Sequence, residues 1–106
     1  MAGAASAEDI KIGIMLGFTG PLESLAPDMA AGAELAINEI AAAGTLLGGG
    51  HTITAIRGDS TCIDAAAAVA AAERLVTSDK VNGIMGADCS GVTGAILQNV
   101  ARRTAS

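Results

Sequence analysis

Lys11–Leu16 (Lys-Ile-Gly-Ile-Met-Leu) is mostly apolar on both faces of an extended chain. That pattern predicts a parallel strand covered on two sides. Gly17-Phe18-Thr19-Gly20-Pro21 then breaks it. From about Pro27 to Ala43 the residues Met29, Ala33, Ala36, Ile37 and Ile40 recur at three-to-four spacing, with Asp28, Glu34, Asn38 and Glu39 mostly off that stripe. An amphipathic helix stopped by Gly44 is expected there. The turn Gly48-Gly49-Gly50 leads into a second strand, His51–Arg57, where Ile53 and Ile56 sit among the β-branched Thr52 and Thr54. Asp64 is placed to cap a helix running through Arg74 to Ser78, and Val81–Met85 makes a third strand. A last helix begins at Ser90 and runs towards Arg102 and Arg103, whose charges suit the negative end of a helix dipole.

The order β-α-β-α-β-α, with no hairpin signal between strands, implies a parallel sheet with right-handed crossovers. The fold class is α/β, a partial Rossmann-like sheet with strand order 2-1-3. Three strands are few for a finished doubly wound domain, so the chain reads as the opening half of a larger α/β lobe. Ligands of such sheets bind beyond the carboxyl ends of the strands. Three loops reach that edge: Gly17 to Ser24, Gly58 to Ile63, and Gly86 to Thr93. The last puts small residues and two hydroxyls at a helix start, where free amides and the dipole favour a carboxylate. Ser90 therefore has two readings, helix cap and ligand contact, and one residue can serve as both.

Composition narrows the function classes. A chain of 106 residues makes one small domain. Its core is rich in alanine, each side chain removing little apolar area from water, so modest stability is expected. Six basic against 11 acidic residues give a net charge of -5, which excludes a phosphate-backbone binder and hence nucleic acid as a partner. The Ala65–Ala72 run, interrupted by Val69, falls far short of the roughly 20 apolar residues of a membrane span. Gly13, Gly17 and Gly20 miss the G-x-G-x-x-G spacing and no G-x4-G-K-[S/T] occurs, so no nucleotide cofactor is expected. Residues 1–8 read as a leader, and Ala5-Ser6-Ala7 has the form of an export cleavage site without the basic start and apolar stretch of a full signal.

Catalysis by Cys89 or Ser90 needs a base, and His51 is the sole histidine. It begins the second strand, whereas Cys89 follows the third, so they lie at opposite sheet edges, about six rises of roughly 3.3 Å apart. No catalytic pair forms within one chain, no enzyme is expected, and His51 reads as a surface loop residue. Cys62 and Cys89 both reach the carboxyl edge. They form a disulfide, stay free, or join Asp59 and Asp88 around a metal, for which the spacing is poor.

Asp9-Ile10-Lys11-Ile12-Gly13, Thr19-Gly20-Pro21, Gly32-Ala33-Glu34-Leu35-Ala36-Ile37, Asp59-Ser60-Thr61-Cys62-Ile63-Asp64 and Gly86-Ala87-Asp88-Cys89-Ser90-Gly91-Val92-Thr93 follow one another in this chain. In that order they resemble periplasmic solute-binding proteins of the branched-chain amino acid type, the extracytoplasmic receptors of ABC importers. The resemblance runs from about Asp9 to Val100. It implies two Rossmann-like lobes closing on an amino acid or other small carboxylate, with an ABC permease as partner and a periplasmic location.

Carried over residue by residue, the resemblance makes Cys62 and Cys89 a disulfide and Ser90 the hydroxyl on the ligand carboxylate, with Gly91 and Thr93 beside it. Leu25 falls where amino acid binders often carry an aromatic residue, giving a smaller pocket wall. The family continues into a fourth strand where this sequence ends in Arg102-Arg103-Thr104-Ala105-Ser106. Residues 9–106 are therefore expected to be an incomplete, truncated N-terminal lobe that does not bind ligand usefully alone. The exposed edge of the third strand is expected to favour self-association. A free-standing flavodoxin-like module binding an anion or a protein partner is the alternative.

Overall fold

The first strand, β1 (Asp9–Leu16), has no polar residue over Gly13–Leu16, where both of its faces are buried. Ile14 and Leu16 pack on one side with Ala26, Ala30 and Ile37. Met15 points to the other, into a cluster with Ala68, Ala72, Leu75, Val92, Ile96 and Val100. The computed structural model describes residues 9–104, so residues 1–8, where a leader is expected, and the last two residues lie outside it. β2 (Thr52–Asp59) and β3 (Gly83–Gly86) pair in parallel on either side of β1, giving the expected order β2-β1-β3. Leu16 lies opposite Asp59 and Met15 opposite Gly86, so the three strands end at one edge.

Helix α1 (Ala26–Ala43) carries Pro27 in its first turn and ends at Gly44, whose φ of 71° lets its amide reach the Ile40 carbonyl. The expected stripe is rotated. Ala26, Ala30 and Ile37 are buried, while Met29 and Ile40 remain 44% and 41% exposed. Alanines let the helix backbone approach the sheet closely. A bidentate pair also holds this rotation, with Arg57 of β2 donating to Glu34 at 2.8 and 2.9 Å. The Arg57 guanidinium lies 5.1 Å from the centre of the Phe18 ring.

Helix α2 (Ala65–Thr77) starts as expected, the Asp64 carboxylate accepting from the Ala67 amide at 3.1 Å. Leu75 is fully buried and sits over two glycines: a Cβ on Gly13 would lie 2.9 Å from its Cδ1, and one on Gly58 3.1 Å. The third strand is shorter than the pattern suggests. The Val81 amide bonds back to the Leu75 carbonyl, and Asn82 bridges to Lys11, so pairing begins only at Gly83. Helix α3 (Ser90–Ile96) passes through a π-helical turn at Leu97–Ala101 into a short α4 (Arg102–Thr104). Helix α1 covers one face of the sheet; α2 and α3 pack together on the other. Among the described residues no helix is long and apolar enough to cross a membrane.

Candidate ligand-binding edge

All three loops expected at the carboxyl edge meet there. Cys62 and Cys89 are bonded, with Cα atoms 5.2 Å apart, which closes the open choice between disulfide, free thiols and metal. Asp59 and Asp88 make hydrogen bonds to other parts of the edge. Among the described residues no group of three potential ligands converges. Each carboxylate instead fastens loops. Asp59 accepts from the Thr19 hydroxyl at 2.6 Å and from the amides of Thr19 and Thr61 at 3.2 and 2.9 Å. Asp88 accepts from the Gly17 amide at 2.9 Å. Sequence reasoning missed these roles, although the run Asp59-Ser60-Thr61 carries the signal of an acid that turns the chain by capturing the amide two residues on.

The β2–α2 loop is tight enough to need unusual backbone. Thr61 and Cys62 adopt φ of 61° and 71°, which costs non-glycine residues about 1–3 kcal/mol each. Asp59 on the Thr61 amide and the disulfide on Cys62 hold them there. Gly86 has φ of 138°, and any Cβ there would run into the Met15 carbonyl, so only glycine fits.

Ser90 is not the cap. Cys89 takes the N-cap position in extended conformation and makes no side-chain cap bond, leaving Ser90 as the first helical residue. The disulfide fixes Cys89 at that point, and its carbonyl accepts the first helical bond, from the Thr93 amide at 3.0 Å. The amides of Ser90, Gly91 and Val92 precede that bond and have no partner within the helix. Ser90 and Gly91 are exposed at the edge, and Leu25 stands 56% exposed immediately before α1. Thr93 donates its hydroxyl to the Cys89 carbonyl at 2.7 Å. It lines, with Met15, Ile84, Ile96 and Leu97, an apolar cavity of about 240 Å³ under α3. His51 lies in the turn before β2, half-buried, its Nδ1 shielded from solvent, and on the opposite side of the sheet from Cys89.

Burial raises the Asp59 carboxyl, but bonds from the Thr19 hydroxyl and the amides of Thr61, Thr19 and Phe18 together hold it below its ordinary value. The hydrogen bond from Arg57 does the same for Glu34. Both groups have a lower folded than unfolded pKa. Their stabilisation is complete above the unfolded carboxylate range, near ~4, and is lost as pH falls through the lower folded values. Urea unfolding between pH 6 and pH 2 is expected to show this acid loss, and Asp59→Ala to lower stability by about 1 kcal/mol at neutral pH while flattening the acid limb. An acid limb unchanged in the variant would remove Asp59 from the account.

This chain matches the family model described as periplasmic binding protein over residues 9–105. It is 41% identical over 99 residues to Leu/Ile/Val-binding protein homolog 7 of Brucella melitensis, a match spanning 92% of this chain and 24% of the relative. Among solved structures it resembles the branched-chain amino acid transporter substrate-binding protein LivJ of Streptococcus pneumoniae in complex with isoleucine. The TM-score is 0.75 with 33% identity, over 89% of this chain and 26% of that one. A solute-binding protein of an ABC transporter from R. palustris in complex with benzoate superposes with a TM-score of 0.72 and 25% identity, over 90% of this chain and 25% of that one. The chain thus spans about a quarter of the length of the relatives it matches. Its parallel sheet, its disulfide and the agreement along nearly the whole sequence place it: the chain belongs to the periplasmic binding protein family.

Proposed function

We propose that residues 9–106 are part of the N-terminal lobe of an extracytoplasmic receptor that captures an amino acid or related small carboxylate and hands it to an ABC permease. The observation that carries this reading is the start of α3, where Ser90 and Gly91 present a hydroxyl and unpartnered first-turn amides at the exposed sheet edge. A ligand carboxylate fits there, with Thr93 one turn further on and Leu25 as apolar wall. The isoleucine and benzoate held by similar proteins share that carboxylate. No catalytic role accompanies it, since His51 lies across the sheet from Cys89 and Ser90. The location that follows is periplasmic, in keeping with an intact disulfide.

One edge supplies only part of an enclosing site, so the 106-residue chain is expected to bind weakly. Calorimetric titration with leucine, isoleucine, valine and benzoate is expected to give no constant tighter than about 1 mM. A micromolar constant for any of them would refute the partial-pocket reading, and binding of inorganic phosphate in their place would favour a free-standing anion-binding module. Self-association accompanies the reading. β3 pairs only with β1 among the described residues, its open edge Gly83–Gly86 bears no charge, and Met85 is 41% exposed on it. The same samples at high concentration are expected to scatter light as dimers or larger, and a clean monomer would count against an edge that pairs.

A further inference from the structure

The disulfide joins the β2–α2 loop to the start of α3, but it makes no covalent link to the loop between β1 and α1, which carries Leu25 and packs against Cys62 through Gly17. The side chain that ties this loop to the α3 start is Asp88. Its Oδ2 accepts from the Gly17 amide at 2.9 Å, and its Oδ1 lies at 3.5 Å from the hydroxyl of Ser60, a fully buried residue of the β2–α2 loop. Gly17 lies flat on this junction: a Cβ there would sit 3.4 Å from the Cys62 Cβ and 3.6 Å from the Asp88 carboxylate. The Ser60 amide in turn donates to the Leu16 carbonyl at 2.9 Å, closing the ring of loops around the end of β1.

We propose that Asp88 is a positioning residue for the ligand edge, setting the β1–α1 loop against Ser90 independently of the disulfide. Asp88 stands immediately before Cys89 and one residue further from Ser90, so a shift of its carboxylate moves the start of α3 relative to Gly17. An acid suits the place because both partners donate, one an amide and one a hydroxyl. Asparagine keeps an accepting oxygen for Gly17 and can offer its amide to the Ser60 oxygen. Leucine, of similar size, offers neither. The consequence for ligand capture rests on the function proposed above; the coupling of the loops does not.

The test is amide hydrogen exchange and the proton shift of Gly17, read by NMR on the 106-residue chain for wild type, Asp88→Leu, Asp88→Asn and Ser60→Ala. In Asp88→Leu the Gly17 amide is expected to move upfield and to exchange about tenfold faster, while Ile14 in the middle of β1 changes much less. Asp88→Asn is expected to restore most of both signals. The effect is expected to persist in a Cys62→Ser, Cys89→Ser background, because among the described residues only Asp88 hydrogen-bonds the β1–α1 loop to the start of α3. General destabilisation would speed Gly17 and Ile14 by the same factor, and that result, or an unmoved Gly17 amide, would overturn the proposal. Should Asp88→Leu not fold, Ser60→Ala decides it: loss of the hydroxyl that holds the Asp88 carboxylate is expected to shift the Gly17 amide proton more than that of Ile14, and an unmoved Gly17 amide overturns the proposal. The measurement contains no ligand, so its failure and the failure of the ligand-binding reading are separate results.

Discussion

Replacing Cys62 and Cys89 together with serine is expected to lower the unfolding free energy of the chain by roughly 3 to 4 kcal/mol. The bond closes a loop of 27 residues in sequence separation, and removing it returns that loop's closure entropy to the unfolded chain. Two left-handed residues, Thr61 and Cys62, also lose one of the constraints that hold them. For a domain of this size the loss corresponds to a fall in melting temperature of roughly 15 to 25 °C. Against a total stability of about 5 to 15 kcal/mol, this removes a large share. Calorimetric melts with and without reductant measure it. A reduced protein melting within a few degrees of the oxidised one would show that Asp59, Asp88 and the core suffice to hold the edge.

Leu75→Ala is expected to cost about 3 kcal/mol, whereas Leu35→Ala, at a residue 60% exposed on α1, should stay within about 0.5 kcal/mol. The difference comes from composition. Most neighbours on the α2 face are alanine, valine or glycine, so few side chains are long enough to relax into the space that Leu75 leaves. The cavity therefore persists, and the cost of lost contacts adds to that of transfer. Urea denaturation of the two variants checks this. Equal effects would mean that α2 does not pack on β1 through Leu75.

The order and pairing of the elements were legible because each strand and helix is locally consistent: an unbroken apolar run for the central strand, Asp64 before a run of alanine, Gly44 after a helix. What was less legible depends on tertiary partners. The buried stripe of α1 turned towards its alanines, which let the helix lie close on the sheet, and Arg57, far away in sequence, takes Glu34 on one flank. Ser90 lost the cap because the disulfide fixes Cys89 one residue earlier, and no residue-spacing rule encodes that. The third strand began late because Val81 and Asn82 spend their bonds on α2 and Lys11. At the edge itself, the small residues and hydroxyls of the α3 start were visible in the sequence. Asp59 and Asp88 were visible only as acids, and their work as loop fasteners follows from the chain's path.

The central proposal is that this edge, in a two-lobed protein, reads the carboxylate of the bound solute. It is tested most directly by grafting residues 9–101 of this chain into the isoleucine-bound Streptococcus pneumoniae protein in place of its matching segment, and titrating the folded chimera with isoleucine and benzoate. The account predicts micromolar or tighter binding of at least one of them, weakened roughly tenfold or more by Ser90→Ala. A chimera that melts cooperatively and binds with the same affinity whether or not Ser90 is present would contradict it.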